Sequence, residues 1–214
     1  MDRSRVAIVI PAFNEEKTIV SVVKQSLGFG VVIVVDDGSA DRTGELAGVS
    51  GAIVVFHPQN FGYEEAINTG FKRAHQLGCR IFITLDADGQ HDPILIDEFI
   101  EKIESGADLV IGVRSSFQRL GEQIYAWYTN FQYGIKDPLC GLKAYSSELY
   151  EMLGYFDKRH MVGTELMIYA AKKGCNVAQI GFHVKKRNGK SRFGASICGN
   201  IKIFKALYKA LQLK

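Results

Sequence analysis

Acidic residues cluster where two apolar runs stop. The run Ile81-Phe82-Ile83-Thr84-Leu85 passes directly into Asp86-Ala87-Asp88-Gly89-Gln90-His91-Asp92-Pro93, and Val31 to Val35 passes into Asp36-Asp37-Gly38-Ser39. Asp86 and Asp88 are two apart, so an extended backbone would put both carboxylates on one face. Two such groups repel each other and are costly to desolvate unless a cation joins them. Hard oxygen ligands suit Mg²⁺ or Mn²⁺, typically shared with a diphosphate, and Gln90 offers a third oxygen. The same D-x-D pattern also occurs in solvated turns, so the elements around it must decide. Asp92-Pro93 reads as a helix cap with proline in the first turn.

Those elements alternate. Apolar, β-branched runs at Val6 to Ile10, Val31 to Val35, Ala52 to Phe56, Arg80 to Leu85 and Asp108 to Val113 read as strands. Between them lie helical patterns: one opened by Asn14-Glu15-Glu16 with Ile19, Val22, Val23 and Leu27 on one side, a short one started by Asp41 to Thr43, one from Gly62 to Leu77, and one from Pro93 to Glu104. Pro11 is expected to stop the first strand. Continuous apolar strands alternating with helices predict a mostly parallel sheet covered by helices on both faces. Parallel strands would bring Asp36-Asp37, Asp86-Asp88 and Arg114 to one edge of the sheet, where ligands of open α/β sheets bind. No G-x-G-x-x-G follows the first strand, which argues against a dinucleotide site.

After Arg114 the pattern changes. Residues 117–134 interleave Phe117, Leu120, Ile124, Tyr125, Trp127, Tyr128, Phe131 and Tyr133 with few charges. The spacing of 120, 124, 127, 128 and 131 predicts a helix whose apolar side packs inward; the alternative is an interfacial helix, since Trp and Tyr favour the headgroup level. Asp137 to Tyr145 reads as a turn and short strand, Gly163 to Lys173 as a helix carrying Glu165, Cys175 to His183 as a strand, and Lys185 to Gly194 as a basic loop. Residues 196–212 read as an amphipathic helix, with Ile197, Ile201, Phe204, Tyr208 and Leu211 on one side and Lys202, Lys205 and Lys209 on another.

Charge is unevenly spread. Residues 1–165 hold 15 Lys/Arg and 23 Asp/Glu, a balance of −8, whereas residues 166–214 hold 11 Lys/Arg and no acid, a balance of +11. That tail predicts an anionic partner or a solvated basic surface. The basic residues and the aromatics lie in different segments, so no stacking groove for nucleic acid is expected. The four cysteines form no C-x-x-C pair, which fits a reducing cytoplasm. No apolar run reaches transmembrane length, and the N-terminus lacks a signal peptide's apolar core. The composition, 47% hydrophobic and 23% charged over 214 residues, fits one sizeable packed domain.

Taken together, Val9-Ile10-Pro11-Ala12-Phe13-Asn14-Glu15-Glu16, Val34-Val35-Asp36-Asp37-Gly38-Ser39-Ala40-Asp41-Arg42-Thr43, Asn60-Phe61-Gly62, Leu85-Asp86-Ala87-Asp88-Gly89-Gln90-His91, Asp137-Pro138-Leu139-Cys140-Gly141, Glu165-Leu166 and Gly189-Lys190-Ser191-Arg192 resemble glycosyltransferase family 2, and within it the dolichyl-phosphate mannose synthase and polyprenyl-phosphate glycosyltransferase branch. The resemblance spans almost the whole chain. It implies a GT-A fold: a single Rossmann-like α/β domain over 1–195, followed by a basic amphipathic helix at 196–214. Unlike many members of that branch, the chain has no basic residue in 120–135 and carries Glu64-Glu65 where a lysine often sits.

By the same resemblance, Pro11, Phe13 and Glu15 line the nucleotide pocket, with Val35 and Asp37 against the base and Asp86 and Ala87 along the ribose. Asp88 and Gln90 hold the Mg²⁺ or Mn²⁺ ion on the diphosphate. Arg114 approaches the phosphates, and Lys186, Arg187, Ser191 and Arg192 match a basic closing loop. The implied reaction moves a hexosyl group, with inversion, from a GDP- or UDP-sugar to a polyprenyl phosphate at the cytoplasmic membrane face, where the chain would dock peripherally on anionic lipid. Asp137 would be the base for a hydroxyl acceptor, or a positioning group for a phosphate acceptor; Glu165 would act as base or brace. A glycan or other hydroxyl acceptor, and a non-catalytic nucleotide-sugar-binding subunit, are the alternatives.

Overall fold

The computed structural model describes residues 2–89, 93–117, 119–183 and 196–213, with the backbone alone at 93 and 196–198. The strands are β1 (Val6–Ala12), β2 (Val31–Asp36), β3 (Ile53–Phe56), β4 (Ile81–Thr84), β5 (Leu109–Arg114), β6 (Lys143–Ser146) and β7 (Val177–Phe182). They form one sheet in the order β3-β2-β1-β4-β6-β5-β7. Every adjacent pair is parallel except the two that involve β6, which runs antiparallel to both β4 and β5. The helices are α1 (Ile19–Ser26), α2 (Thr43–Val49), α3 (Tyr63–Gln76), α4 (Ile96–Glu104), α5 (Leu120–Tyr133), α6 (Ser147–Leu153), α7 (Glu165–Lys172) and α8 (Ser196–Gln212).

The central strands β1, β2 and β4 are buried on both faces because helices cover both. One core joins Ile8, Ile10, Val32 and Val34 to Val22 and Val23 of α1 and Phe99 and Ile100 of α4. The other joins Ala7, Val9 and Ile33 to Ile67 and Phe71 of α3 and to Tyr125, Leu166 and Ile203. Alternation along each strand sends successive side chains to opposite cores. Gly70 lets α3 lie close to the sheet: a Cβ there would stand 2.2 Å from Val9 Cγ1.

Pro11 does not end β1. The β1–β4 pairing stops at Val9↔Thr84, and Val9 accepts the N–H of Leu85. Residue 11 faces the same side as residue 9, where no strand remains to receive an N–H, so proline costs the ladder nothing. The helix expected from Asn14 begins only at Ile19, because Asn14 takes a left-handed backbone (φ 54°) and residues 14–16 are held by the loop after β2.

The aromatic helix departs from its expected packing, and the C-terminal helix forms where the pattern placed it. α5 buries Gly121, Glu122, Tyr125, Ala126 and Thr129, and leaves Leu120, Ile124, Trp127 and Phe131 exposed. α8 packs on α5 through Ile203, with Ala206 and Ala210 also buried, and leaves Ile201, Phe204, Tyr208 and Leu211 exposed. Small residues let the two helices approach; the large apolar stripe of α5, expected to pack inward, faces outward, as does that of the amphipathic α8.

Candidate functional site

Parallel strands end together, and the polar residues after β1, β2, β4 and β5 line a cleft of about 690 Å³ at that carboxyl edge. β6 enters the same edge from the opposite direction, so its first residue, Lys143, also lines the cleft. The wall from β1, β2 and β4 presents Pro11, Phe13, Asn14, Glu15, Asp37, Asp86, Ala87 and Asp88. Arg114, Ser116, Arg119 and Glu122 face it from β5 and the start of α5, and Lys202 and Ile203 from α8.

The loop after β2 organises the loop after β1. Ser39 Oγ accepts the N–H of Asn14 at 2.9 Å, Thr43 Oγ1 that of Glu15 at 2.7 Å and Asp41 Oδ2 that of Glu16 at 3.3 Å, while Asn14 Oδ1 accepts from Ala40 N at 2.8 Å. Asp37 anchors a third segment: His57 Nδ1 lies 2.7 Å and Phe61 N 2.9 Å from Oδ1, and Gly62 N 2.8 Å from Oδ2. An ionised carboxylate has about four acceptor positions, so Asp37 retains capacity for one more donor on its cleft side. Val35 is not brought to the cleft. It is fully buried within β2 under α3, with Cγ2 3.4 Å from where a Cβ on Gly70 would be, whereas Asp37 lies beyond the end of the strand.

Asp86 and Asp88 lie beyond the end of β4, Asp88 in a turn and 8% exposed. The Asp86 carboxylate rests on Gly141: a Cβ there would stand 2.1 Å from Oδ2. Gln90, Lys186, Arg187, Ser191 and Arg192 lie outside the described residues, as does the Asp92 cap. Among the described residues no three His, Cys, Asp or Glu side chains gather as a ready-made metal site.

Arg114 and Asp137 form a buried fork. Asp137 is fully buried and accepts from Arg114 Nε at 2.7 Å, Nη2 at 2.9 Å and the backbone N–H at 3.1 Å. Glu122 Oε2 stands 3.4 Å from Arg114 Nη2, and Glu122 Oε1 accepts from Arg119 Nη1 at 2.9 Å. Burial alone would lower the Arg114 pKa, but the hydrogen bonds and charge of Asp137 outweigh it and keep the guanidinium firmly charged. Asp137 itself is not among the residues lining the cleft.

Two further groups lining the cleft, Lys143 and Tyr63, were not singled out in the sequence. Burial lowers the Lys143 pKa, opposed by the negative charge of Asp137 and Asp86. Burial and the charge of Asp86 raise that of Tyr63. Lys143 stands two residues beyond Gly141 in the D-x-x-x-G segment, so proximity to that motif was its signal; Lys202 was marked only as part of the basic face of the C-terminal helix, and Glu122 had no signal. Glu165 lies apart from the cleft lining. It accepts from Tyr155 Oη at 3.0 Å, Lys158 N at 2.8 Å and Arg159 N at 2.9 Å, and so braces the 155–159 loop.

Comparison with known proteins bears on this arrangement. The model of the family described as glycosyl transferase family 2 matches residues 7–172. A Methanocaldococcus jannaschii protein of uncharacterized function is 31% identical over 100% of this chain and 94% of its own length. The UDP-N-acetylglucosamine–dolichyl-phosphate N-acetylglucosaminyltransferase of Methanococcus voltae is 29% identical, over 97% of this chain and 95% of its own. Among solved structures, glucosyl-3-phosphoglycerate synthase from Mycobacterium tuberculosis, in complex with Mn²⁺, UDP and phosphoglyceric acid, superposes with a TM-score of 0.80 at 24% identity, over 99% of this chain and 80% of that one. That likeness establishes the shared fold.

Proposed function

The chain belongs to glycosyltransferase family 2, and on that premise we propose that it moves a hexosyl group, with inversion, from a nucleoside diphosphate sugar to a polyprenyl phosphate. The observation that carries this reading is the charge layout of the cleft. Carboxylates of Asp37, Asp86 and Asp88 line the cleft from the ends of β2 and β4, and Arg114, Arg119, Lys143 and Lys202 line it from β5, α5, β6 and α8, with Glu122 paired to the two arginines. A donor with a neutral, hydrogen-bonding nucleoside and an anionic diphosphate matches that polarity.

On this reading Pro11, Phe13 and Glu15 flank the base, the remaining acceptor position on Asp37 takes a base N–H, and Asp86 and Ala87 follow the ribose. Asp88 and Gln90 would hold a divalent cation. The fit is chemical: an acidic, mostly buried wall with few protein ligands suits an ion that completes its shell with substrate phosphates and water. Such an ion, when bound, supplies Lewis-acid neutralisation of the diphosphate. Arg114 directs charge-assisted hydrogen bonds at the leaving diphosphate, and Asp137 holds it in place. The acceptor oxygen bonds to the anomeric carbon as the carbon–oxygen bond to the diphosphate breaks, and the diphosphate keeps the electron pair. A phosphate monoester, with a second pKa of about 6, is already largely dianionic at neutral pH. No base is therefore needed, consistent with an Asp137 buried beneath Arg114.

A lipid acceptor is supported by the relatives. The Methanococcus voltae relative is named for a dolichyl-phosphate acceptor, and an undecaprenyl-phosphate 4-deoxy-4-formamido-L-arabinose transferase of Pseudomonas paraeruginosa is 27% identical over 89% of this chain and 60% of its own. Among the described residues no helix is long and apolar enough to cross a membrane. The outward apolar stripes of α5 and α8, flanked by Lys202, Lys205 and Lys209, support peripheral docking on an anionic, cytoplasmic membrane face.

The test is calorimetric titration of the protein with UDP- and GDP-sugars in Mn²⁺ or Mg²⁺, followed by transfer of labelled sugar to a short polyprenyl phosphate. One donor is expected to bind and to be consumed only with the prenyl phosphate present. Donor binding with transfer to a free sugar hydroxyl instead would sink the acceptor assignment.

A further inference from the structure

Three non-glycine residues among the described ones take a left-handed backbone: Asn14 (φ 54°), His160 (φ 53°) and Val162 (φ 56°). Only Val162 is β-branched, and for such a side chain this region is a genuine outlier. Val162 is half-buried and lines the cleft, whereas His160 is exposed and does not line it.

Hydrogen bonds from four directions hold the loop in this form. Asp157 accepts the N–H of Met161 at 3.0 Å and that of Gly163 at 2.9 Å, one residue to either side of Val162. Thr164 Oγ1 donates to the Met161 carbonyl at 2.6 Å and meets Tyr125 Oη of α5 at 2.7 Å. Asn68 Nδ2 of α3 donates to Asp157 O at 2.7 Å, and Lys209 Nζ of α8 donates to Arg159 O at 2.5 Å. A strained backbone persists only where its surroundings over-determine it, and such residues cluster at ligand sites.

Beside Val162 the cleft is part apolar and part acidic. A Cβ on Gly163 would stand 2.9 Å from Tyr63 Cε1, so the loop lies against the Tyr63 ring. Tyr63, Leu139 and Val162 all line the cleft and pack on the same core. Burial chiefly, and then charges that include those of Asp86 and Glu64, raise the Tyr63 pKa, which places both carboxylates near that ring. A pyranose has C–H faces that pack on apolar carbon and a rim of hydroxyls that need acceptors. A valine and a tyrosine beside two carboxylates supply both. A hydrocarbon chain laid there would desolvate the carboxylates with nothing in return.

We propose that Val162 is a specificity-determining residue: with Tyr63, its side chain bounds the space for the donor's hexosyl group and discriminates among sugars carried by the same nucleotide. This rests on the sugar-transfer reading above. A single carbon more or less at an apolar contact changes discrimination about 10–200-fold, and only a fixed backbone under the valine makes that contact selective.

The test compares Val162→Gly, Val162→Ala and His160→Gly with the wild type by thermal unfolding and by calorimetric binding in Mn²⁺. The probes are free UDP, UDP-glucose, UDP-galactose and UDP-N-acetylglucosamine, and free GDP, GDP-mannose and GDP-glucose. Both valine variants lose the side chain, but only glycine relieves the backbone. Val162→Gly should therefore melt about 2 °C or more above Val162→Ala, the reverse of the usual order. The wild type should prefer one sugar over the others on the same nucleotide by about tenfold or more. Both valine variants should bring that ratio close to one, with free nucleotide affinity unchanged. His160→Gly relieves the same kind of strain away from the cleft and should keep the ratio. An alanine variant that melts as high as the glycine variant overturns the strain. A ratio preserved in both valine variants, or lost equally in His160→Gly, overturns the specificity role and leaves sugar transfer intact, as does a wild type indifferent to the sugar. A wild type that binds no nucleotide overturns the sugar-transfer reading and this proposal with it.

Discussion

Arg114 and Asp137 meet edge to edge, Nε to Oδ2 at 2.7 Å and Nη2 to Oδ1 at 2.9 Å, with the carboxylate wholly enclosed and the guanidinium lining the cleft. These contacts fix the plane of the guanidinium, and on the proposed reading its edge toward the cleft meets a phosphate. A fork of this kind has direction as well as charge, which lysine would not reproduce.

Asp137→Asn sets an amide N–H₂ against a guanidinium donor. It should destabilise the fold by about 3 kcal/mol or more, the usual cost of breaking a buried pair, and lower kcat. The pH–rate profiles of wild type and variant should share an acidic limb near pH 6, set by the acceptor phosphate. An acidic limb present only in the wild type would make Asp137 the base.

Gly141→Ala introduces a methyl group 2.1 Å from Asp86 Oδ2. The carboxylate must swing away, so donor affinity should fall about tenfold or more while thermal unfolding changes little. Calorimetry with the nucleotide beside a melting curve separates the two. Wild-type donor affinity in this variant would remove Asp86 from the donor site.

Asp157 accepts from Met161 N at 3.0 Å and Gly163 N at 2.9 Å, and so shapes the loop that carries Val162 into the cleft. Burial pushes its carboxyl up to about 6, against the pull of those donors. A folded-state value above the unfolded one means that the protonated group's contribution is complete below about pH 4 and is lost as pH rises through about 6. At about 1.4 kcal/mol per unit, the loss approaches about 3 kcal/mol. Urea unfolding should show wild-type stability falling relative to Asp157→Asn between pH 4 and 7; a rising difference would refute the assignment.

Trp127 is the chain's sole tryptophan, 69% exposed and stacked on Phe131 with ring centroids 6.0 Å apart. Its emission should shift to the blue when vesicles containing anionic lipid are added, and the shift should shrink in high salt. Emission indifferent to such vesicles would leave the α5 stripe without a membrane role.

Chelation should reduce transfer by at least about a hundredfold, since a Lewis-acid ion contributes several kcal/mol. Mn²⁺ or Mg²⁺ should restore the wild type, and Asp88→Asn should restore poorly. Full turnover in chelator would discard the cation.

The positions of β1 to β5 and the carboxyl-edge cleft were legible because buried parallel strands are written as continuous apolar runs whose polar residues gather at one end. The motif segments were legible for the same local reason. The brace on Asn14, Glu15 and Glu16 was not, since it comes from Ser39, Asp41 and Thr43 in another loop. Val35 shows the limit of reading a motif residue by residue: Asp37, just past the end of β2, lines the cleft, while Val35, still within the strand, is covered by α3.

Strand periodicity, helix spacing and the family motifs thus determined, from sequence alone, a mostly parallel α/β sheet and an acidic wall at its edge. Only the tertiary structure decided which way β6 runs, and therefore that Lys143 enters the cleft. Only it decided that α5 and α8 meet through Gly121, Ile203 and the small faces around them, turning Trp127, Phe131, Phe204 and Tyr208 outward. The reason is physical: an amphipathic pattern specifies that a helix has two faces, but which face is buried depends on the shape of the partner that packs against it.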